Sequence, residues 1–136
     1  MGMEIKSFKD LDVWQKSMQL IKKIYLITQE FPKDETYGLI NQMRRSAISI
    51  PSNIAEGKTR QSKNEYIQFL YISLGSAAEI QTQIMISKEL QYISEEAEKG
   101  LLEEVDHISR MLRNLIKGLR GGSGYYANRS PQTVNQ

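Results

Sequence analysis

Only three prolines, at positions 32, 51 and 131, punctuate a chain whose apolar residues recur three and four apart over long windows. A proline inside a helix removes a backbone donor and clashes with the carbonyl four residues earlier, so stretches free of it can stay helical for many turns. Period-2 alternation, the mark of a half-buried strand, is nearly absent. The chain is therefore expected to be all-α.

In the first window Leu11, Trp14, Met18, Ile21 and Tyr25 form one stripe, with Val13, Leu20, Ile24, Ile27 and Phe31 as a second beside it. Phe31-Pro32 ends this helix, because a residue before proline is pushed out of the α region. Asp34 is expected to cap a second helix. Its buried side reads Ile40, Met43, Ala47, Ile50 and Ile54, and its polar side Gln42, Arg45, Ser49, Ser52 and Glu56. Pro51 falls inside it and predicts a kink or break near Ile50, and Gly57 is expected to close it in a left-handed conformation.

Ser62-Lys63-Asn64-Glu65 has the form of a capping box and opens a third helix running to about Leu90. Its apolar residues occupy three stripes, the third holding Phe69 and Ile72, more than one neighbouring helix can cover. Ser94 caps a fourth helix that begins with Glu95, Glu96 and Glu98 and ends with Arg110, Arg113, Lys117 and Arg120, a gradient that complements the helix dipole. Leu101, Val105, Ile108, Leu112, Leu115 and Leu119 form its seam.

Four helices with short connections pack as an antiparallel up-down bundle. Residues 8–120 are assigned to it, residues 1–7 to a flexible N-terminus, and residues 121–136 to a disordered tail whose only sizeable apolar residues are Tyr125, Tyr126 and Val134. A length of 136 residues suits a single core. The absence of cysteine excludes thiol catalysis, Cys-ligated zinc and iron-sulfur clusters. The N-terminus shows no apolar signal region, and no run approaches the ~20 apolar residues of a membrane span. A cytoplasmic protein without membrane contact is expected.

Glu104 and His107 match the Glu-x-x-His spacing of di-iron bundles, but such sites need the motif on two helices, and His107 is the chain's one histidine. It leaves no Ser-His-Asp or Cys-His pair either. The expectation is a non-enzyme with no metal, cofactor or small-molecule substrate. Glu79 lies among small residues in Gly75-Ser76-Ala77-Ala78-Glu79 and is expected to accept a hydrogen bond that fixes helix register, with Gln42, Arg44, Arg45 and Asn53 as candidate donors.

Net charge is only +2, from 18 basic and 16 acidic residues, so any affinity for nucleic acid must come from clustering. Two clusters stand out: Arg44, Arg45, Lys58, Arg60 and Lys63 around the end of the second helix, and Arg110, Arg113, Lys117 and Arg120 on the fourth. Such rows can neutralise phosphates without reading bases, or serve as solvated helix faces and as intersubunit ion pairs.

The run Phe31-Pro32, Glu35, Tyr37-Gly38-Leu39, Gln42, Arg44-Arg45-Ser46-Ala47, then Ser49-Ile-Pro-Ser-Asn-Ile-Ala-Glu-Gly57, with Phe69-Leu70, Gly75-Ser76 and Glu79 beyond, resembles the small bundle proteins encoded in intervening sequences of bacterial 23S rRNA genes, the S23 family. The resemblance covers residues 8–120. It implies a cytoplasmic bacterial protein, a four-helix protomer, a ring-shaped homopentamer and an affinity for structured RNA, and it brings no catalytic residues. Of its motif, Gln42, Arg44, Arg45, Asn53, Glu56 and Gly57 are present.

Two readings follow. In the first, the ring binds RNA or DNA through the nine basic residues Arg44, Arg45, Lys58, Arg60, Lys63, Arg110, Arg113, Lys117 and Arg120. In the second it is a protein-protein adaptor or scaffold with no nucleic-acid role. Steep weakening by salt separates the first from the second.

Overall fold

Apolar residues three and four apart fold into four helices: α1 (Asp12–Thr28), α2 (Leu39–Lys58), α3 (Lys63–Glu89) and α4 (Glu95–Gly121). The structure, a computed structural model, describes residues 7–121. Among the described residues there is no strand, and two 3-10 turns, Phe8–Asp10 and Lys33–Glu35, precede α1 and α2. The expected flexible N-terminus and disordered tail lie outside the described residues, apart from Ser7, whose hydroxyl accepts from the Lys9 amide, and Gly121, the last residue of α4.

Each helix packs on its neighbours in sequence and α4 returns to α1. Along the α2–α3 seam the numbers rise on one helix as they fall on the other. Ser46 meets Glu79 (3.3 Å), Ser49 meets Ser76 (2.7 Å), and the Ser73 hydroxyl donates to the Ile50 carbonyl (2.9 Å), so the pair is antiparallel. Small side chains let these two backbones approach. A methyl group at Gly57 would stand 2.8 Å from Phe69 Cβ and 3.0 Å from Tyr66 Cδ1. Gly57 therefore lies inside α2 as a close-approach residue, and the helix-closing role expected of it is not the one it has.

The expected cap at Asp34 is also displaced. Lys33–Glu35 form a separate turn, Gly38 is the N-cap, and Glu35 Oε1 accepts from the Leu39 amide at 3.2 Å in place of an N-cap side chain. α2 then runs unbroken through Pro51, so the expected break near Ile50 does not occur. Side-chain donors reinforce the helix around the ring. Asn53 Nδ2 donates to the Ser49 carbonyl (2.8 Å), and Ser73 to that of Ile50. The hydroxyls of Ser62 and Ser94 cap as expected, accepting from the Glu65 (3.1 Å) and Ala97 (3.0 Å) amides, but the capping box expected at Ser62 is only half made, with no bond from the Ser62 amide back to the Glu65 carboxylate.

The core takes the expected face of α2 (Ile40, Met43, Ala47, Ile50, Ile54) and the second of the two α1 stripes, Val13, Leu20, Ile24 and Phe31. On α4, Ile116 is buried while Leu115 and Leu119 are only partly covered. Leu20 and Ile24 are thus consumed within the protomer and offer nothing to a partner. Among the described residues, the large apolar side chains left exposed are Met18 and Leu26 on α1, Tyr37 before α2, Ile48 on α2, Tyr71, Ile72, Met85 and Ile86 on α3, and Leu90 just beyond its end. No helix of the described residues is long and apolar enough to cross a membrane.

Candidate nucleic-acid interface

The antiparallel order decides which basic residues meet. Lys58 ends α2, Lys63 begins α3, and α4 finishes beside them: Lys63 and Arg120 line one groove with Asn64, Gln68, Tyr71 and Leu119. Two clusters far apart in sequence, the α2–α3 connection and the end of α4, share one end of the bundle.

Within this end the cations are held loosely. The Arg60 guanidinium pairs with Glu56 (2.6 Å) and lies 4.8 Å from the centre of the Phe69 ring. The Lys58 ammonium is 5.9 Å from the Tyr66 ring, and Arg120 is 5.3 Å from that of Tyr71. Lys63 and Lys117 are exposed and make no hydrogen bond or ion pair with the described residues. Farther along α4, exposed Arg113 continues the row and Arg110 pairs with Asp106 at 3.0 Å. Arg110 stands about 15 Å of helix before Arg120.

The remaining two residues separate from this group and from each other. Arg44 is half-buried: its Nε donates to Thr28 Oγ1 (2.9 Å) and its guanidinium carbon lies 4.2 Å from the centre of the Tyr25 ring, so it ties α2 to the end of α1. Of the two roles open to it, that of an internal partner is realised, though toward Thr28 and Tyr25 and not toward Glu79. Glu79 accepts from Ser46, the register-fixing contact expected of it, from a donor outside the expected set. Arg45 is exposed in a cleft between α2 and α3 that also contains Gln42, Ser49, Glu79 and Gln83. Gln83 Oε1 is buried there without a partner among the described residues.

The opposite end carries the acids. The hydroxyl of Tyr92, in the α3–α4 connection, donates to Glu35 Oε2 at 2.8 Å, and its ring packs against Phe31 at 5.0 Å between centroids. Glu35 raises the Tyr92 phenol above its ordinary value by accepting this bond, with smaller contributions from burial and from the charges of Glu35 and Asp34. Glu95, Glu96 and Glu98 begin α4 beside it. Glu104 faces the Lys23 ammonium, His107 is exposed, and among the described residues no three His, Asp or Glu side chains come together as a metal site would need.

The residue that sequence reading missed is Tyr71. In sequence it is one more apolar residue of α3, yet it stands beside Arg120 and in the same groove as Lys63. Its only local signal is the row Asn64, Gln68, Tyr71, four and then three residues apart on one helix face.

The family model described as 23S rRNA-intervening sequence protein matches residues 9–114. No curated protein matches the chain. Among solved structures, a protein with unknown function from the S23 ribosomal protein family of Bacteroides thetaiotaomicron VPI-5482 superposes with a TM-score of 0.72 at 25% identity, over 77% of this chain and 98% of that one.

Proposed function

Since the chain belongs to the 23S rRNA-intervening sequence protein family, we propose that it is a non-enzymatic, cytoplasmic nucleic-acid-binding protein that works as a closed homo-oligomer, a pentamer. The observation that carries this reading is the gathering of Lys58, Arg60, Lys63, Lys117 and Arg120 at one end of the bundle, with Arg113 and Arg110 extending the row. Arg45 lies on another face and Arg44 is engaged internally, so neither is assigned to phosphate. A small net charge is no obstacle, because copies around a ring multiply a modest patch into a strong field. The exposed apolar residues Ile72 and Ile86, which share one face of α3, supply the contact between copies. Pro51 bends α2 and so aims the Lys58–Lys63 connection.

The test is anisotropy of a labelled structured RNA across a salt series, with oligomer mass by light scattering on the same samples. Binding that falls steeply with salt, and a slope reduced by about two units in the double variant Lys63→Ala, Lys117→Ala, is the expected result. Binding indifferent to salt would favour the adaptor reading. A monomer mass would overturn the ring.

A further inference from the structure

We infer that the groove between the start of α3 and the end of α4 holds one nucleotide of a single-stranded nucleic acid, its base stacked on Tyr71 and its phosphate between Lys63 and Arg120. The inference rests on the nucleic-acid reading above and narrows its substrate.

The groove, of about 650 Å³, is lined by residues from both helices. Its wall carries Tyr71, a residue left 44% exposed with the Arg120 guanidinium 5.3 Å from its ring centre, so an aromatic side chain open to solvent stands beside a cation. An aromatic ring flanked by cations is the combination that holds unpaired nucleotides: the base stacks on the ring and the cations take the phosphate, whatever the base. Asn64 and Gln68 stand on the same face of α3, two turns and one turn before Tyr71. Each amide offers both a donor and an acceptor to the edge of a stacked base. Bases in a duplex are already stacked on one another, so a duplex gains only the cations here and loses the ring.

The full chain is to be titrated with a labelled oligouridylate and with a labelled blunt RNA duplex, as wild type, Tyr71→Leu and Tyr71→Phe, with mass by light scattering for each. Tyr71→Leu is expected to weaken oligouridylate binding about tenfold. The salt slope should not change, since no charge is removed, and duplex affinity should stay within about twofold. Tyr71→Phe should bind as wild type does. Equal loss on both probes, no loss on oligouridylate, or a phenylalanine variant as weak as the leucine variant overturns the stacking site while the phosphate reading stands. A changed mass in Tyr71→Leu also overturns it, by placing the ring between copies. Wild type that binds neither probe removes the nucleic-acid reading itself.

Discussion

Where residues 29–38 meet the α3–α4 connection, Glu35 accepts from the Leu39 amide and from Tyr92, Phe31 packs on Tyr92, and nearby Arg44 bonds Thr28 across to α1. At the other end Lys63 and Lys117 bond nothing described, Lys58 and Arg120 only overlie rings, and Arg60, just past the end of α2, overlies the Phe69 ring and pairs with the exposed Glu56 four residues back. The difference lies in where the polar groups are spent, one end using them to join its connections and the other leaving them toward solvent. Packing does not follow that division, because the basic end also contains the close contact of α2 with α3 at Gly57.

The largest expected effect sharpens this separation. Gly57→Ala forces a methyl group to 2.8 Å from Phe69 Cβ, which a flexible side-chain tip could relieve but a Cβ cannot. It should destabilise the bundle by about 3 kcal/mol, measured as a shift in the urea midpoint. A change below about 0.5 kcal/mol would mean that the basic end is loose in packing as well as in charge. At the acidic end Glu35→Ala removes the acceptor for both Tyr92 and the Leu39 amide and should cost about 2 kcal/mol. RNA affinity should not fall, since Glu35 lies at the far end from the cations.

The core of α2 was legible because five residues at helical spacing, from Ile40 to Ile54, point to one side, and burial of that side fixes the helix. The α1 core was half hidden. Ser17 and Thr28 are buried in its stripe, and each hydroxyl returns a bond to the carbonyl four residues back, Val13 (2.7 Å) and Ile24 (2.7 Å), so a polar letter costs nothing there. On α4 the strict heptad reading drifted. A straight helix turns about 20° away from a seven-residue repeat in each heptad, which brings Ile116 inward at the expense of Leu115 and Leu119. For the candidate site, the basic residues were individually visible, but no local pattern distinguishes Arg44 from Arg45, and Lys63 and Arg120 meet only through the return of α4 along α3.

A pH series breaks the comparison if the Tyr92–Glu35 bond is idle. Because the folded protein raises the Tyr92 phenol, the bond's contribution is whole below the ordinary phenol value of about 10 and is lost as pH rises through the raised one. Denaturant midpoints of wild type should therefore fall toward those of Tyr92→Phe on the alkaline side, while a change at the exposed Tyr37, Tyr37→Phe, keeps the wild-type profile. Parallel profiles for wild type and Tyr92→Phe would show that this bond does not join the two connections.

The smallest effect is the one that most defines the basic end. Lys63 and Lys117 have no described partner, so truncating either removes an exposed ammonium and little packing. Lys63→Ala and Lys117→Ala should each leave the urea midpoint within about 0.5 kcal/mol of wild type. Lys117 lies in the last turns of α4, where a cation complements the helix dipole, so a loss of a few tenths of a kcal/mol is expected there. Lys63 opens α3, where a cation opposes the dipole, so its removal should be neutral or slightly stabilising. Opposite signs at two residues of one end of the bundle, both small, fit cations held there for something other than the fold. A loss above about 1 kcal/mol at Lys63 would instead make it a structural residue and remove it from the interface.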